Sequence, residues 1–469
     1  MPPPLSPPSP PPLSDEEAYF DARDTLSSSD RSSPRPPVMI PVHYSRIEPL
    51  PSPQPPPGAE LSIFRLAKEM LTSVKPGADV TNINLPASIL DPVSTLEKAK
   101  KSMQRGELLQ DLCAASDPES RMLNVIRFNL SGLAKERFGK KPYNPVLGEV
   151  YRCAFAHKGS GGETLLVAEQ VSHHPPITAL HLHNDTLGFQ LNSHTAPEPR
   201  FWGNSLEVKL KGEIRIVLSR FEDEQYVITR PYVFMSGFLA GRQRLEFNGT
   251  SSFKCARTGL AAEIEYHRAK GPLSARGEMN AISGRIYKLD SDETVYTLAG
   301  HWDKKVHITH VNSKQQRVLF DYEAVVADKS MLAICPPAEQ EEPSFSTRIW
   351  ADCSTAISNG DTGEANAQKR RVEDHQRRLK KERNVAGIVW KYRYFIDRDN
   401  GDGYELLPEL RKTQLVKLDL EAPEIEGLRS GELVKQMHME LMKETESSEG
   451  KGRNGGRRRL LSRRGNNKV

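Results

Sequence analysis

Cysteine is scarce in this chain of 469 residues: Cys113, Cys153, Cys255, Cys335 and Cys353 are its five. Odd in number, scattered and without a CxxC spacing, they exclude a disulfide framework and a zinc ribbon, and they fit a reducing cytoplasm. Long apolar runs are missing as well. No stretch approaches the ~18 apolar residues that span a bilayer, and no charged start leads into an apolar segment, so membrane contact is expected to be peripheral. Charge of one sign is not in excess either. A net charge of +4 gives no general basis for a nucleic-acid partner.

Motifs of catalysis and cofactor binding are absent too. With neither HExxH nor a GxSxG elbow, an enzyme is not expected. His157-Lys158-Gly159-Ser160-Gly161-Gly162 lacks a following GK[ST] and reads as a hairpin turn rather than a phosphate loop. Asp397 to Gly403 imitates a calcium loop, but Asp402 stands at its sixth position, where glycine is needed, and Pro408 at its twelfth, where glutamate is needed. No metal or cofactor is therefore implied.

Proline, by contrast, is abundant, with 35 residues concentrated at the start. Residues 1–59 combine proline, serine and charge with too few large apolar side chains to build a core, and read as a disordered arm. From Leu61 the pattern changes. Leu61, Phe64, Ala67, Leu71 and Val74 recur at helical spacing until Lys75-Pro76-Gly77 ends the run. Asn84 to Met122 reads as mostly helical, broken at Ser94 and Asp117-Pro118, and Met122 to Phe138 as a further helix.

The period then drops to two. Short β-branched or aromatic segments follow at Thr164–Val171, Thr186–Leu191, Leu206–Leu210, Glu213–Val217, Gln225–Thr229, Leu245–Gly249, Ala262–Tyr266, Gly284–Tyr287, Val295–Ala299 and Val306–His310. So many consecutive strands must curl or close to avoid long exposed edges, which predicts an antiparallel barrel in a mainly β, α+β chain. Glu364 to Arg383 reads as a charged helix, and Trp390 to Phe395 as a last apolar element. Residues 416–469 form a tail whose end, Lys451 to Lys468, is rich in arginine and contains no acid.

The apolar run Leu165 to Ala168 is closed by Glu169-Gln170-Val171-Ser172-His173-His174-Pro175-Pro176. The prolines lack the N–H a ladder needs and hold the preceding residues extended, which presents both imidazoles at the lip of a sheet. A histidine pair suits metal ligation, base chemistry, plain packing or, once protonated, an anion. Upstream stands Lys140-Lys141-Pro142-Tyr143-Asn144-Pro145-Val146-Leu147-Gly148-Glu149. Downstream, Lys369, Glu373 and Arg377 are spaced by four, a stripe that composition alone would assign to a solvated helix held by ion pairs.

Taken together, and with Phe201 to Ser205 and Gly300-His301-Trp302, these stretches resemble the oxysterol-binding-protein-related family of lipid transfer proteins over most of residues 60–395. The resemblance implies an incomplete antiparallel barrel around an apolar lipid tunnel (residues 81–415), with helices at its entrance and base. It implies a lid over residues 60–80. Leu61, Phe64, Leu85 and Ile89 are the expected lid and tunnel residues. The headgroup of phosphatidylinositol 4-phosphate is expected on Lys141, Asn144, His173, His174, Lys369, Glu373 and Arg377. Its charge complementarity is sound, because a phosphomonoester near neutral pH carries almost two negative charges and needs several converging cations.

The same resemblance implies exchange of that lipid for a second one between membranes at contact sites. Lys75 to Asp79 and Leu85 to Leu90 look more like the phosphatidylserine branch, with sterol the next candidate. In the arm, Asp15 to Asp24 is similar to the motif that docks VAP-type receptors of the endoplasmic reticulum, with Tyr19, Phe20, Asp21 and Ala22 as its core, and departs from it at Ala18. No pleckstrin-like or ankyrin pattern precedes residue 60, so targeting is expected from arm, lid or basic tail acting on anionic membranes. A lipid sensor that signals through partners without bulk transport is the alternative, since it needs the same pocket.

Overall fold

The computed structural model describes residues 74–81, 90–102, 105–133, 141–157, 161–236, 244–268, 279–327, 333–334, 342–398, 403–408 and 410. Two short strands, β1 (Ala78–Asp79) and β2 (Leu90–Ser94), precede helices α1 (Thr95–Ser102), α2 (Gly106–Ala114) and α3 (Pro118–Ser131). Asp117 caps α3 by accepting from the Ser120 amide at 2.8 Å, and Pro118 opens it where no amide donor is needed. The sequence places this break correctly. The preceding stretch needs correction, because the expected helical region contains β2, where Pro92 sits on a short parallel pairing with β3 (Lys141–Tyr143). The helix expected from Met122 begins a turn earlier and ends at Ser131, with Gly132 as its cap.

The chain then enters a long meander. It runs through β4 (Val150–Ala156), β5 (Glu163–His173), β6 (Pro176–Asn184), β7 (Phe189–Phe201), β8 (Ser205–Lys211), β9 (Ile214–Leu218) and β10 (Glu224–Ile228). It continues through β11 (Tyr232–Ser236), β12 (Arg244–Cys255), β13 (Leu260–Tyr266), β14 (Ala281–Lys288), β15 (Thr294–His301), β16 (Lys305–His310) and β17 (Gln316–Asp321). Helix α4 (Tyr322–Ala327) and β18 (Ala333–Ile334) follow, and β18 pairs with β4.

Neighbouring strands in this sheet are antiparallel, and the order runs from β17 through β12, β10, β9 and β7 to β4 and β18. The two ends are not joined to each other among the described residues. This is the antiparallel barrel that the alternation predicts, left incomplete as the resemblance implies. Its interior is aromatic and aliphatic: Phe155, Phe189, Phe253, Phe320, Tyr226 and Tyr266 are fully buried, and α3 packs Met122, Val125, Ile126 and Leu130 against the strands. Each apolar side chain of this size contributes about 1.5–3 kcal/mol when removed from water.

Helices α5 (Ser346–Ile349), α6 (Ala351–Ser358) and α7 (Thr362–Val385) come next, followed by the hairpin β19 (Phe395–Arg398) and β20 (Gly403–Leu406). A second, smaller core joins Leu90, Tyr143, Val146, Trp350, Cys353, Ala356, Ala365 and Val372. It fastens α6 and α7 to β2, β3 and the segment after β3. The apolar element expected from Trp390 to Phe395 is irregular as far as Tyr394, and strand geometry begins only at Phe395.

Periodicity missed β4, β6, β11 and β17, and Thr186 to Leu191 proves to be a turn leading into β7. The reason is clearest at β6. The double proline does stop β5, but Pro176 pairs with His173 and starts the returning strand, a position where its lost donor is harmless. His174 and Pro175 therefore form the tip of a tight hairpin. None of the helices described is long and apolar enough to cross a membrane.

Candidate headgroup site

The site is built on the β5–β6 hairpin, the segment after β3 and the exposed side of α7. His173 ends β5 and donates from Nδ1 to the Pro145 carbonyl at 3.0 Å, since that carbonyl can only accept. Nε2 is thereby left as the acceptor of the neutral ring. His174 follows at the turn, its ring edge-on to His173 with centroids 4.5 Å apart. Burial lowers the affinity of both for protons. The Pro145 carbonyl and Glu373 oppose this at His173, while Lys380 and Arg377 reinforce it. At His174, burial, His173 and Lys380 bring the value down to about 4.

The Pro145 carbonyl is itself held in place. Glu149, wholly buried, accepts from the Val146 amide at 3.0 Å, Ser94 Oγ at 2.5 Å, Ser346 Oγ at 2.6 Å and Trp350 Nε1 at 2.9 Å. Desolvation raises its proton affinity, and the four donors oppose that. The amides of Gly148 and Gln170 bond across to Gln170 and Glu149, which stitches the segment to β5. Gly148 has φ +76°, and a Cβ there would meet the Trp390 ring at 2.5 Å, so only glycine lets this indole lie against the turn.

A second buried carboxylate, Glu169, accepts from the amides of Arg393 at 2.9 Å and Tyr394 at 2.8 Å. Burial pushes it up to about 7 against these bonds. It pins the segment after α7 to the middle of β5.

Helix α7 supplies the charged side of the site. Asp361 caps it through the Glu364 amide at 2.9 Å, while Ala365 and Val372 face the smaller core. Lys369 Nζ lies 2.6 Å from Glu373, whose other oxygen is 3.9 Å from Arg377. Arg377 also pairs with Asp374. Lys141 at the start of β3 keeps an exposed surface, yet surrounding protein and the neighbouring charge of Lys369 both lower its proton affinity. Asn144, exposed, stands just before Pro145.

Two juxtapositions are found among the residues expected to hold a headgroup, while Asn144 shares only the segment after β3. Lys141 is electrostatically coupled to Lys369, and His173 to Glu373 and Arg377. Lys380 joins them although sequence reasoning passed it over, because it lies off the spacing of four. Glu149 and Glu169 stand within the two motifs, each a lone carboxylate, Glu149 between Gly148 and Val150 and Glu169 directly after the apolar run Leu165 to Ala168. Leu61, Phe64, Leu85 and Ile89, and likewise Tyr19, Phe20, Asp21 and Ala22, lie outside the described residues.

A family model described as oxysterol-binding protein matches residues 69–414. The chain belongs to the oxysterol-binding protein family. Human oxysterol-binding protein-related protein 5 is 33% identical over 392 residues, 81% of this chain and 44% of that protein. Human oxysterol-binding protein-related protein 8 is 35% identical over 328 residues, 70% of this chain and 36% of that protein. The chain thus spans less than half the length of these relatives. It covers 70% of oxysterol-binding protein 4 of Dictyostelium discoideum, at 34% identity over 336 residues and the same share of itself.

Solved structures share the barrel of this chain. The Osh1 ORD domain in complex with ergosterol superposes with a TM-score of 0.60 at 21% identity, covering 78% of this chain and 88% of that one. The Osh3 ORD of Saccharomyces cerevisiae in complex with PI(4)P gives 0.56 at 21%, covering 73% and 89%. At that identity the likeness establishes the fold.

Proposed function

We propose that this chain carries phosphatidylinositol 4-phosphate in one direction and a second lipid in the other, between two membranes, without chemistry on either. This reading is supported by the approach of His173, with His174 edge-on to it, to Glu373 and Arg377 of the charged stripe, whose Lys369 neighbours Lys141, on a barrel of the oxysterol-binding type. The cations are already in place. Glu373 keeps Lys369 and Arg377 together until an inositol phosphate replaces part of their pairing, so ordering costs less at the moment of binding. Asn144 adds an amide donor at the rim.

The ligands named for related structures, ergosterol and PI(4)P, support two lipids of different type for this fold. Phosphatidylserine is our choice for the second lipid, on the resemblance of Lys75 to Asp79 and Leu85 to Leu90, and sterol comes next. If the two lipids share one tunnel, they compete, and a gradient of the phosphoinositide drives the other. The sites of action are membrane contacts that include the endoplasmic reticulum, reached through the arm's Tyr19-Phe20 motif and the basic tail.

Competition is the direct test. Protein loaded with fluorescent phosphatidylserine is mixed with vesicles containing phosphatidylinositol 4-phosphate, and release is followed. Stoichiometric displacement by this lipid, but not by phosphatidylinositol, is expected; simultaneous retention of both lipids would refute a shared tunnel.

A further inference from the structure

Beyond the headgroup stripe, α7 continues for eight residues from Arg377 to Val385, about 12 Å of helix, and ends in an apolar tip. The helix stops because Gly387 adopts φ +64°, with its amide bonded to the Asn384 carbonyl at 3.2 Å and the Ile388 amide to the Arg383 carbonyl at 3.0 Å. Ile388 and Val389 are thereby turned out of the helix. Val385 is 84% exposed, Val389 82% and Ile388 43%. The next residue, Trp390, is anchored, with its ring against Gly148 and the Arg383 guanidinium 5.2 Å from its centroid.

Single exposed apolar residues need no explanation, but three on one tight turn, held from both sides, do. The surrounding charge identifies the occupant. Between Arg377 and Arg393 stand Arg378, Lys380, Lys381, Arg383 and Lys391, and the one acid in that span, Glu382, is already met by Arg378 at 3.8 Å. A small apolar tip in a cationic collar fits the interface of an anionic bilayer, where aliphatic side chains enter the acyl boundary and lysine and arginine stay among the headgroups.

We propose that the turn Val385–Val389 is a membrane-docking tip that inserts into anionic bilayers. The placement rests on the proposed function, because a lipid headgroup captured at Lys369 to Arg377 is still attached to its membrane as it enters. The bilayer surface must then lie within reach of the end of α7. The tip sets that approach and brings the mouth of the site to the lipid.

The test uses the full chain with Cys335→Ser and Val389→Cys, labelled with nitrobenzoxadiazole; Cys113, Cys153, Cys255 and Cys353 are buried. Phosphatidylcholine vesicles are added with and without phosphatidylserine, all free of phosphoinositide. Blue-shifted, stronger emission with the anionic vesicles is expected, and Val385→Asp/Val389→Asp in the unlabelled chain should lower vesicle affinity about tenfold or more. Unchanged emission while the chain cosediments with vesicles would overturn the proposal, as would failure to cosediment with the anionic vesicles at all.

Calorimetry with soluble inositol 4-phosphate reads the headgroup site separately. Its binding by the Val385→Asp/Val389→Asp chain shows that variant to be intact. A wild-type chain that inserts its tip yet fails to bind the soluble headgroup would defeat the exchange reading and leave the docking surface standing.

Discussion

His173 donates its Nδ1 proton to the Pro145 carbonyl at 3.0 Å, so a residue at the end of β5 is oriented by the segment that follows β3. This bond selects the tautomer and leaves Nε2 to accept a proton when an anion arrives. His174, like His173, is kept neutral chiefly by burial. Burial, His173 and Lys380 hold it near 4.

A dianionic headgroup reverses that balance, so binding should take up protons. Affinity for soluble inositol 4-phosphate is expected to strengthen as pH falls from 7.5 towards 6, and calorimetry in buffers of different ionisation enthalpy should give a positive proton uptake. For the free protein the sign is opposite. The folded value of about 4 lies below the ordinary 6.5, so the unfolded chain binds more protons between them and stability declines as pH falls through that window. His174→Gln should flatten this decline in urea titrations; an unaltered slope would contradict the assignment.

Glu149 makes four hydrogen bonds at a fully buried position. Glu149→Ala strands these donors and should destabilise the fold by about 3 kcal/mol or more, since each buried unsatisfied group costs ~1–3 kcal/mol. Glu149→Gln keeps one acceptor and should lose roughly half as much. Chemical denaturation measures both, and equal losses would show that the carboxylate has no special role.

Lys369→Ala separates function from stability. Its i, i+4 ion pair with Glu373 is mostly covered, the two side chains being 12% and 26% exposed, so its loss costs somewhat more than the ~0.3–0.5 kcal/mol of an exposed pair. Stability should therefore fall by only about 1 kcal/mol, while headgroup affinity falls roughly tenfold or more, as expected for losing a charge-assisted contact to phosphate. A large stability loss with unchanged affinity would assign Lys369 to the scaffold.

The fold was legible where side-chain periodicity decides structure, as in the meander from β12 to β16 and the charged helix that became α7. It was not legible where pairing overrides local pattern. Leu90 to Ser94 contains a proline and two polar residues, and becomes a strand only because β3 offers a parallel edge. Pro176 looks like an end and is a beginning. At the site, the histidines and the stripe of four could be selected by motif, but Lys380 could not, because its proximity to the histidines arises from how α7 lies against the hairpin. Nor could a backbone carbonyl, Pro145, announce itself in side-chain chemistry.

Exchange driven by a phosphoinositide gradient is read by vesicle-to-vesicle transfer. Labelled phosphatidylserine and labelled sterol are followed separately, with and without phosphatidylinositol 4-phosphate in the acceptor vesicles, for the wild-type chain and for His173→Ala/His174→Ala. The phosphoinositide should accelerate phosphatidylserine transfer, and the double variant should abolish the acceleration. Phosphoinositide binding without transfer of either lipid would contradict it and leave a lipid sensor in its place.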